Sequence, residues 1–185
     1  NYRFFLAYYN TSSELWVWAK DSYGSGVAAP YALVHEPSTN DVYVAGYNSG
    51  SESFNGQFTS NPQSTWAGIL LKYNDAGGLR WGRNIAGPQC PLASNCGVWF
   101  NSIALHPNGG VVVGGNFLLY YKDTTGVTHT GVGSWDPLVA YYNQSGGQQW
   151  VFTAGSNQDD TIYAISVNLK GEVQFGGKFH TAIQF

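Results

Sequence analysis

The sequence predicts an all-β repeat chain made of three four-stranded antiparallel units. Three observations lead to this prediction: one strand segment occurs three times, short strands alternate with Gly, Asn and Pro turns, and no stretch keeps a helical apolar period. The composition agrees, because the 185 residues include 24 Gly and 16 % aromatic side chains. So many aromatic residues cannot stay solvated, which excludes a disordered chain.

The repeated strand is the main signal. Three segments align without a gap, and each has an aromatic start, an apolar middle and a Tyr-Asn end; they are residues 2–10, 66–74 and 135–143. A polar turn follows each segment, and then a tryptophan, at Trp16, Trp81 and Trp150. Agreement at this many positions indicates internal repetition of one β unit.

Two further strands recur between these landmarks. One set is 31–34, 102–105 and 163–166; the other is Val-rich and covers 42–46, 111–115 and 173–177. The apolar continuity of the Val-rich set predicts strands covered on both faces. Four strands in roughly 50–70 residues match a β-propeller blade, so the sequence predicts an array of three blades in a single domain, 1–185. The blades are placed at 11–74, 75–143 and 144–185, the last completed by 1–10.

The order of these motifs resembles a known repeat. The consensus of the repeat has a tryptophan, an Ala-Ile strand, a Gly-x-Val-x-Val-Gly-Gly-x-Phe strand such as 109–117, and a Phe-Leu-Ala-Tyr-Tyr-Asn strand such as 5–10. This pattern resembles the SBBP-type β-propeller repeat of secreted and surface proteins, over nearly the whole chain. The resemblance implies a fold and leaves the function open, because such repeats serve as scaffolds with varied loops.

The first strand is a candidate assembly element. It consists of Arg3, Phe4, Phe5, Leu6, Ala7, Tyr8, Tyr9 and Asn10. It is expected to complete the blade built from 161–179, because the other two blades each contain a strand matching it. The donor is either the same chain, which closes a ring, or a neighbouring copy, which joins head to tail. With no Met and no leader, the sequence has the character of a mature or excised segment.

Charge narrows the range of partners. Charged residues make up 10 % of the chain, against roughly 25 % in an average soluble domain, and the net charge is −3. The sequence therefore predicts neither nucleic-acid binding nor attraction to anionic membranes. It has no apolar run of 18 residues, so no membrane insertion is expected. The expected location is extracellular or at the cell surface.

Cys90 and Cys96 are the only cysteines. A metal or redox pair is the functional alternative, but neither spacing nor a nearby His set fits a metal site. The sequence favours a local disulfide that pins a surface loop, which agrees with an oxidising compartment.

Asn10 and Asn143 begin N-glycosylation sequons at equivalent turns of the repeat. The alternative is that asparagine simply suits a hairpin turn. His35 and His106 are interpreted as equivalent turn residues, and Asp159-Asp160 as a solvated loop, since it lacks alternating calcium ligands.

No catalytic, cofactor or metal site is predicted. The sequence lacks the common nucleophile, metalloprotease and phosphate-loop motifs. Glu14, Glu36, Glu52 and Asp123 are expected in turns or loops. Trp99, Tyr120 and Tyr121 are candidates for stacking on sugar rings, although aromatic residues at strand positions more often belong to the core.

Three functions remain open at this point. The first is a non-enzymatic structural or adhesive module, self-assembling by strand donation into a filament, ring or surface layer. The second is a lectin with sugar sites in clefts between blades lined by Trp, Tyr and Asn. The third, a glycan-active enzyme, has the least support in the sequence.

Overall fold

The computed structural model describes residues 2–60, 66–85 and 96–182. This part of the chain forms fourteen β-strands and no helix, so the predicted all-β class is confirmed. Over the same ranges, no helix is long and apolar enough to cross a bilayer. The strands are β1 (Phe5–Asn10), β2 (Leu15–Gly24), β3 (Val27–Glu36), β4 (Asp41–Ser49), β5 (Glu52–Phe54), β6 (Phe58–Ser60), β7 (Ala67–Tyr73), β8 (Leu79–Ile85), β9 (Gly97–Leu105), β10 (Val111–Lys122), β11 (Thr128–Tyr142), β12 (Gln148–Thr153), β13 (Thr161–Val167) and β14 (Val173–Lys178).

All strand pairs are antiparallel, and they form four sheets. Sheet I has the order β1-β2-β5-β6, sheet II β3-β4-β7-β8, sheet III β12-β11-β10-β9 and sheet IV β13-β14. The prediction of three complete four-stranded blades is therefore met only in part. Sheets II and III each have four strands, although β5 and β6 of sheet I come between β4 and β7 along the chain. Sheet I is the β1–β2 hairpin extended by β5 and β6, and sheet IV has two strands.

The sheets divide the chain differently from the predicted repeat. Each tryptophan-bearing strand, such as β8, pairs with the Tyr-Asn strand before it, as β8 does with β7. One unit therefore runs from β3 to β8 and the next from β9 to β12. In this order, β1 and β2 are the third and fourth strands of a unit, whereas β13 and β14 are a first and a second strand. Sheets I and IV are complementary half units.

Consecutive sheets pack face to face, and this packing makes the core. One cluster joins sheets I and II, with Phe4 and Leu6 against Ile69 and Leu71. The largest cluster joins sheets II and III, and a third joins sheets III and IV through Val112, Val139, Tyr141 and Ile162. Burial of this apolar area is the main stabilising term. No core cluster of the described residues joins sheet I to sheet IV, so the sheets form an open row.

Burial of the Val-rich strands depends on their neighbours. β4 and the first half of β10 are almost completely buried, as predicted, because each has a strand on both sides and a sheet on both faces. The same prediction is wrong for 173–177, where β14 is largely exposed. β14 pairs only with β13 among the described strands, so one edge and one face stay open.

The strand register corrects the tryptophan alignment. Tyr8 pairs with Trp18, Lys72 with Trp81, and Tyr141 with Trp150, each just before a register shift. Trp18, not Trp16, is therefore the structural equivalent of Trp81 and Trp150. The first copy has one extra residue, which lies in the β1–β2 turn, and sequence spacing alone could not show where it is inserted.

These tryptophans tie one sheet to the next. The Trp18 Nε1–H donates to the Asp75 carbonyl at 2.7 Å, and the Trp81 Nε1–H donates to the Gln144 carbonyl at 2.9 Å. Asp75 and Gln144 each follow the asparagine that ends a Tyr-Asn strand. The same hydrogen bond therefore recurs at two successive sheet interfaces.

A buried charge cluster lies where sheets II and III meet. The Lys72 Nζ is 2.9 Å from an Asp41 carboxylate oxygen and 3.4 Å from one of Glu36, and it lies 4.6 Å from the Tyr43 ring centroid. The side chains of Lys72, Asp41 and Glu36 are all almost completely buried. Burial favours the neutral acid, but hydrogen bonds from Lys72 and Arg80 outweigh it and lower the pKa of Asp41.

We expect the substitution Lys72→Met to lower the free energy of unfolding by about 3–5 kcal/mol, because it leaves the buried Glu36 carboxylate without a cation and the buried Asp41 carboxylate with Arg80 alone. Chemical denaturation followed by circular dichroism measures this change. Lys170→Met removes the same charge from an exposed turn and should stay within roughly 0.5 kcal/mol of the parent. A Lys72→Met protein within about 1 kcal/mol of the parent would contradict the stabilising role of the cluster.

Candidate functional site

The same β-bulge occurs in the first strand of sheets II, III and IV. The register skips Tyr31 between β3 and β4, Asn101 between β9 and β10, and Tyr163 between β13 and β14. Tyr31 is therefore the structural equivalent of Asn101. The sequence alignment is off by one residue at this point, because it matches Tyr31 with Ser102. With this shift His35 corresponds to Leu105, so His35 and His106 are not equivalent, contrary to expectation.

A glycine opposite each bulge makes the bulge possible. Gly46, Gly115 and Gly177 pair with the residue before the skipped position. A β-carbon on these glycines would lie 1.8–2.1 Å from the carbonyl oxygens of Ala29, Trp99 and Thr161. Since no side chain fits there, the second glycine of the Val-rich motif is a steric requirement. Bulges of this kind redirect side chains and are common next to binding sites.

The redirected side chains line one cleft. Tyr31, Asn101 and Tyr163 all border a cavity of about 250 Å³ between sheets II, III and IV. The residues that complete its lining come from strands of sheets III and IV or from the loop before β13: Trp99, Asn116, Trp135, Asp159, Thr161 and Lys178. The β-bulges of three successive sheets therefore surround one cleft.

Stacked aromatic rings support this cleft. Trp99 stacks on Tyr47 with a centroid distance of 4.8 Å, and Trp66 and Trp135 contact it at 5.6 and 5.1 Å. Tyr31 also stacks on Tyr47, with a centroid distance of 5.7 Å. Trp99, predicted as a sugar-stacking residue, does border the cleft, but neighbouring rings occupy much of its surface. The rings with free surface are Tyr31 and Tyr163, which are 53 % and 55 % exposed.

Polar groups are fixed around the rings. The Asn101 side-chain amide donates to the Asn116 side-chain oxygen at 3.1 Å and to the Ile162 carbonyl at 3.0 Å, which joins sheets III and IV. The Trp135 backbone N–H donates to Asp159 at 3.3 Å. Lys178 forms no ion pair with any described residue. The cleft thus offers amide, carboxylate and ammonium groups beside two exposed phenol rings.

The loop at Asp159-Asp160 only partly follows expectation. Asp159 is exposed, as predicted for a solvated loop, but Asp160 is completely buried. Its carboxylate accepts hydrogen bonds from the backbone N–H groups of Ser156 and His180. Asp160 therefore ties the loop before β13 to the segment after β14, and so fixes one wall of the cleft.

Tyr121 and Tyr120 do not border the cleft. Tyr121 is completely buried, and its hydroxyl donates to Gln148 at 2.6 Å, so its ring cannot stack on a sugar. Tyr121 lies in a strand and not in a loop, because β10 continues to Lys122. Tyr120 lies half-buried in the same extension.

The structure describes one cysteine of the predicted disulfide and both sequon asparagines. Cys96 is disulfide-bonded and buried, whereas Cys90 lies outside the described residues. The side-chain oxygens of Asn10 and Asn143 accept backbone hydrogen bonds from Ser12 and Ser145 in their turns. This is the structural role expected of asparagine in a hairpin turn, and it leaves glycosylation a prediction.

The assembly strand does not complete sheet IV within the chain. β1 pairs with β2, and Phe4 and Leu6 are buried against sheet II. The opposite edge of β1 pairs with no described strand. Phe5, Tyr8 and Tyr9 on β1 remain exposed, whereas the equivalent strand β7 is buried throughout.

The acidic residues considered for catalysis have structural roles or lie far from one another in the fold. Glu36 belongs to the buried charge cluster, and Glu52 lies in β5, completely buried, where it accepts a hydrogen bond from the Gly26 N–H. Both were expected in turns or loops, since a buried strand glutamate leaves no sequence signal. Asp123 pairs with His129 in a turn. No cluster of three or more metal-binding side chains occurs in the described ranges.

Two larger open grooves differ in chemistry from the cleft. One, about 650 Å³, is bordered by Glu36 at the end of β3 and by His106 and Leu169. The other, about 550 Å³, lies beside Gly155 and Ser156. Neither combines exposed aromatic rings with charged side chains as the cleft at Tyr31 and Tyr163 does.

Comparison with known proteins adds no identification. The chain matches no protein-family profile, and no curated protein is significantly similar to it. The function therefore has to be argued from the sheets, their edges and the cleft.

Asp136, next to the cleft residue Trp135, provides a test through pH. Its carboxyl is completely buried, and burial, together with the charges of Asp160 and Asp159, raises its pKa despite hydrogen bonds from Gly133 and Val132. A raised folded-state pKa means that ionisation of this group destabilises the fold as pH increases above its unfolded value. We expect the Tm of Asp136→Asn, relative to the parent, to increase between acid and neutral pH.

Differential scanning fluorimetry over this pH range measures the change. Asp21→Asn removes the same charge from an exposed strand position and controls for net charge. A Tm difference for Asp136→Asn that does not vary with pH would contradict the inferred cost of the buried charge.

Proposed function

We propose that this chain is a non-enzymatic structural and adhesive module of the β-propeller type, which assembles by joining its half units edge to edge. The β1–β2 hairpin of one copy adds to β14 of another. The observation that carries the proposal is the complementarity of sheets I and IV: one has the third and fourth strands of a unit, the other the first and second. The disulfide of Cys96 supports an extracellular or surface location.

The complete sheets suggest the register of the proposed contact by analogy. In sheet II, Val42 lies opposite Tyr73, and in sheet III, Val111 lies opposite Tyr142. The equivalent residues are Val173 in β14 and Tyr9 in β1. The expected pairs are Val173 with Tyr9, Gln174 with Tyr8, Phe175 with Ala7, Gly176 with Leu6 and Gly177 with Phe5.

A repeated hydrogen bond supports the same partner. Trp18 and Trp81 each donate to the residue that follows the turn asparagine of the next sheet. Trp150, the third of these tryptophans, is 38 % exposed, and its N–H donates to no described residue. The corresponding acceptor in a β1–β2 hairpin is the Thr11 carbonyl. When that hairpin completes sheet IV, the Thr11 carbonyl becomes the acceptor for the Trp150 N–H.

Exposed apolar surface gives the driving force. Phe5, Tyr8 and Tyr9 on β1 and Phe175 on β14 are exposed, although residues at the equivalent positions of complete sheets are buried. An open strand edge with apolar neighbours favours addition of another strand. Two copies joined at both contacts hold six units, within the roughly four to eight blades of closed propellers, whereas unclosed addition gives a filament.

The substitution Gly176→Arg tests this assembly. A β-carbon at Gly176 meets no atom within 4 Å in the single chain, so the variant should fold normally. At the equivalent Gly114, a β-carbon would lie 3.0 Å from Ile162 of the next sheet, so in the assembly the arginine would enter a packed interface. We expect the dissociation constant of self-association, from analytical ultracentrifugation, to increase by about tenfold or more.

Leu169→Arg is the matched control, because it adds the same charge at a turn residue that is 95 % exposed. It should associate as the parent does. A parent chain that stays monomeric at all accessible concentrations, or a Gly176→Arg chain that associates equally well, would overturn the proposal. Deletion of 1–10 is a poorer test, because it also removes the buried side chains of Phe4 and Leu6.

A further inference from the structure

We infer that the bulge cleft between sheets II, III and IV, lined by Tyr31, Trp135, Asp159, Tyr163 and Lys178, is a binding site for a neutral pyranose sugar. This site is independent of the edge-to-edge assembly proposed above. The inference starts from the two exposed rings, Tyr31 and Tyr163, which stand at equivalent bulges of two sheets.

The bulges explain why these rings are exposed. In a regular strand the two tyrosines would alternate with their neighbours into one face of the sheet. The bulge takes each of them out of register, and the glycine opposite holds it in place. Tyr31 is further supported by its stacking on Tyr47, which in turn stacks on Trp99. A rigid aromatic surface of this kind loses little conformational entropy when a ligand packs against it.

The size of the cleft limits the ligand. Its volume of about 250 Å³ lies below the roughly 300–1,000 Å³ of sites that hold drug-sized molecules. A single six-membered sugar ring matches this scale better than a nucleotide or a peptide. Because Tyr31 and Tyr163 remain about half exposed at the cleft, neighbouring sugar rings of a longer glycan would extend into solvent.

The chemistry of the lining selects a sugar among small ligands. A pyranose has a C–H face that packs on an aromatic ring, and hydroxyls that both donate and accept hydrogen bonds. Asp159 offers an acceptor, Lys178 a donor, and the tyrosine hydroxyls both. The single carboxylate and the single ammonium balance, which favours a neutral sugar over an acidic one.

Other ligand classes fit the cleft less well. A metal ion is not supported, because the described residues contain no cluster of three or more metal-binding side chains. A phosphorylated ligand would meet only one cation, Lys178, with the carboxylate of Asp159 beside it. A purely apolar ligand would leave these charged groups desolvated without partners.

The test is titration with methyl glycosides of glucose, mannose and galactose and with N-acetylglucosamine, followed by tryptophan fluorescence and isothermal calorimetry. We expect at least one of them to bind with a dissociation constant of about 1 mM or lower. Tyr163→Ala should weaken that binding by about tenfold, because it removes one of the two free rings. Tyr23→Ala is the matched control: Tyr23 is 53 % exposed and lies outside the cleft.

Gly176→Arg, which is expected to self-associate more weakly, should bind the same sugar with unchanged affinity, and this result would separate the sugar site from the assembly. Circular dichroism establishes that Tyr163→Ala is folded, and Tyr163→Phe, which keeps the ring, should retain most of the affinity. Binding of none of the four sugars, equal loss in Tyr23→Ala and Tyr163→Ala, or selective binding of glucuronate would overturn the inference.

Discussion

A carbonyl oxygen occupies the space of a missing β-carbon in three successive sheets, and the rest of the structure depends on this contact. At Gly46, Gly115 and Gly177 the first strand of each sheet comes so close that only glycine fits. The close approach fixes the bulge, and the bulge fixes where Tyr31, Asn101 and Tyr163 lie. The first strands of sheets II, III and IV surround the cleft, and β9 lies next to both β3 and β13.

Packing between sheets holds this arrangement together. Each sheet buries an apolar face against the next, and the tryptophan N–H of one sheet reaches a turn carbonyl of its neighbour. Because the hydrogen bond needs both the strand and the turn in position, it fixes the relative placement of two sheets that apolar contact alone would leave free to slide. The Lys72 cluster adds directional contacts within the largest core, where Gln144 of sheet III also reaches Glu36 at 3.3 Å.

The open row of sheets leaves both of its outer units incomplete. In sheets II and III, a Val-rich strand lies between two other strands and is buried, whereas β14 has the same motif and is exposed. The difference comes from the neighbours and not from the strand itself. Edge strands of this composition are normally covered or paired in native proteins. The two half units, together with the Trp150 N–H of sheet III that donates to no described residue, are therefore the basis of the proposed edge-to-edge contact.

The sequence by itself determined the all-β class, the internal repeat and the positions of most strands, because alternating short strands and Asn or Gly turns are local features. It also singled out Trp99, which borders the cleft. It could not place the bulges, so Tyr31 was aligned with Ser102 and Trp16 with Trp81, each off its structural equivalent. It gave no sign that Glu36, Glu52, Asp160 and Tyr121 are buried. Only the tertiary structure decided these points, because a register shift and the burial of a side chain depend on which strands and sheets lie alongside, and those neighbours are distant in the chain.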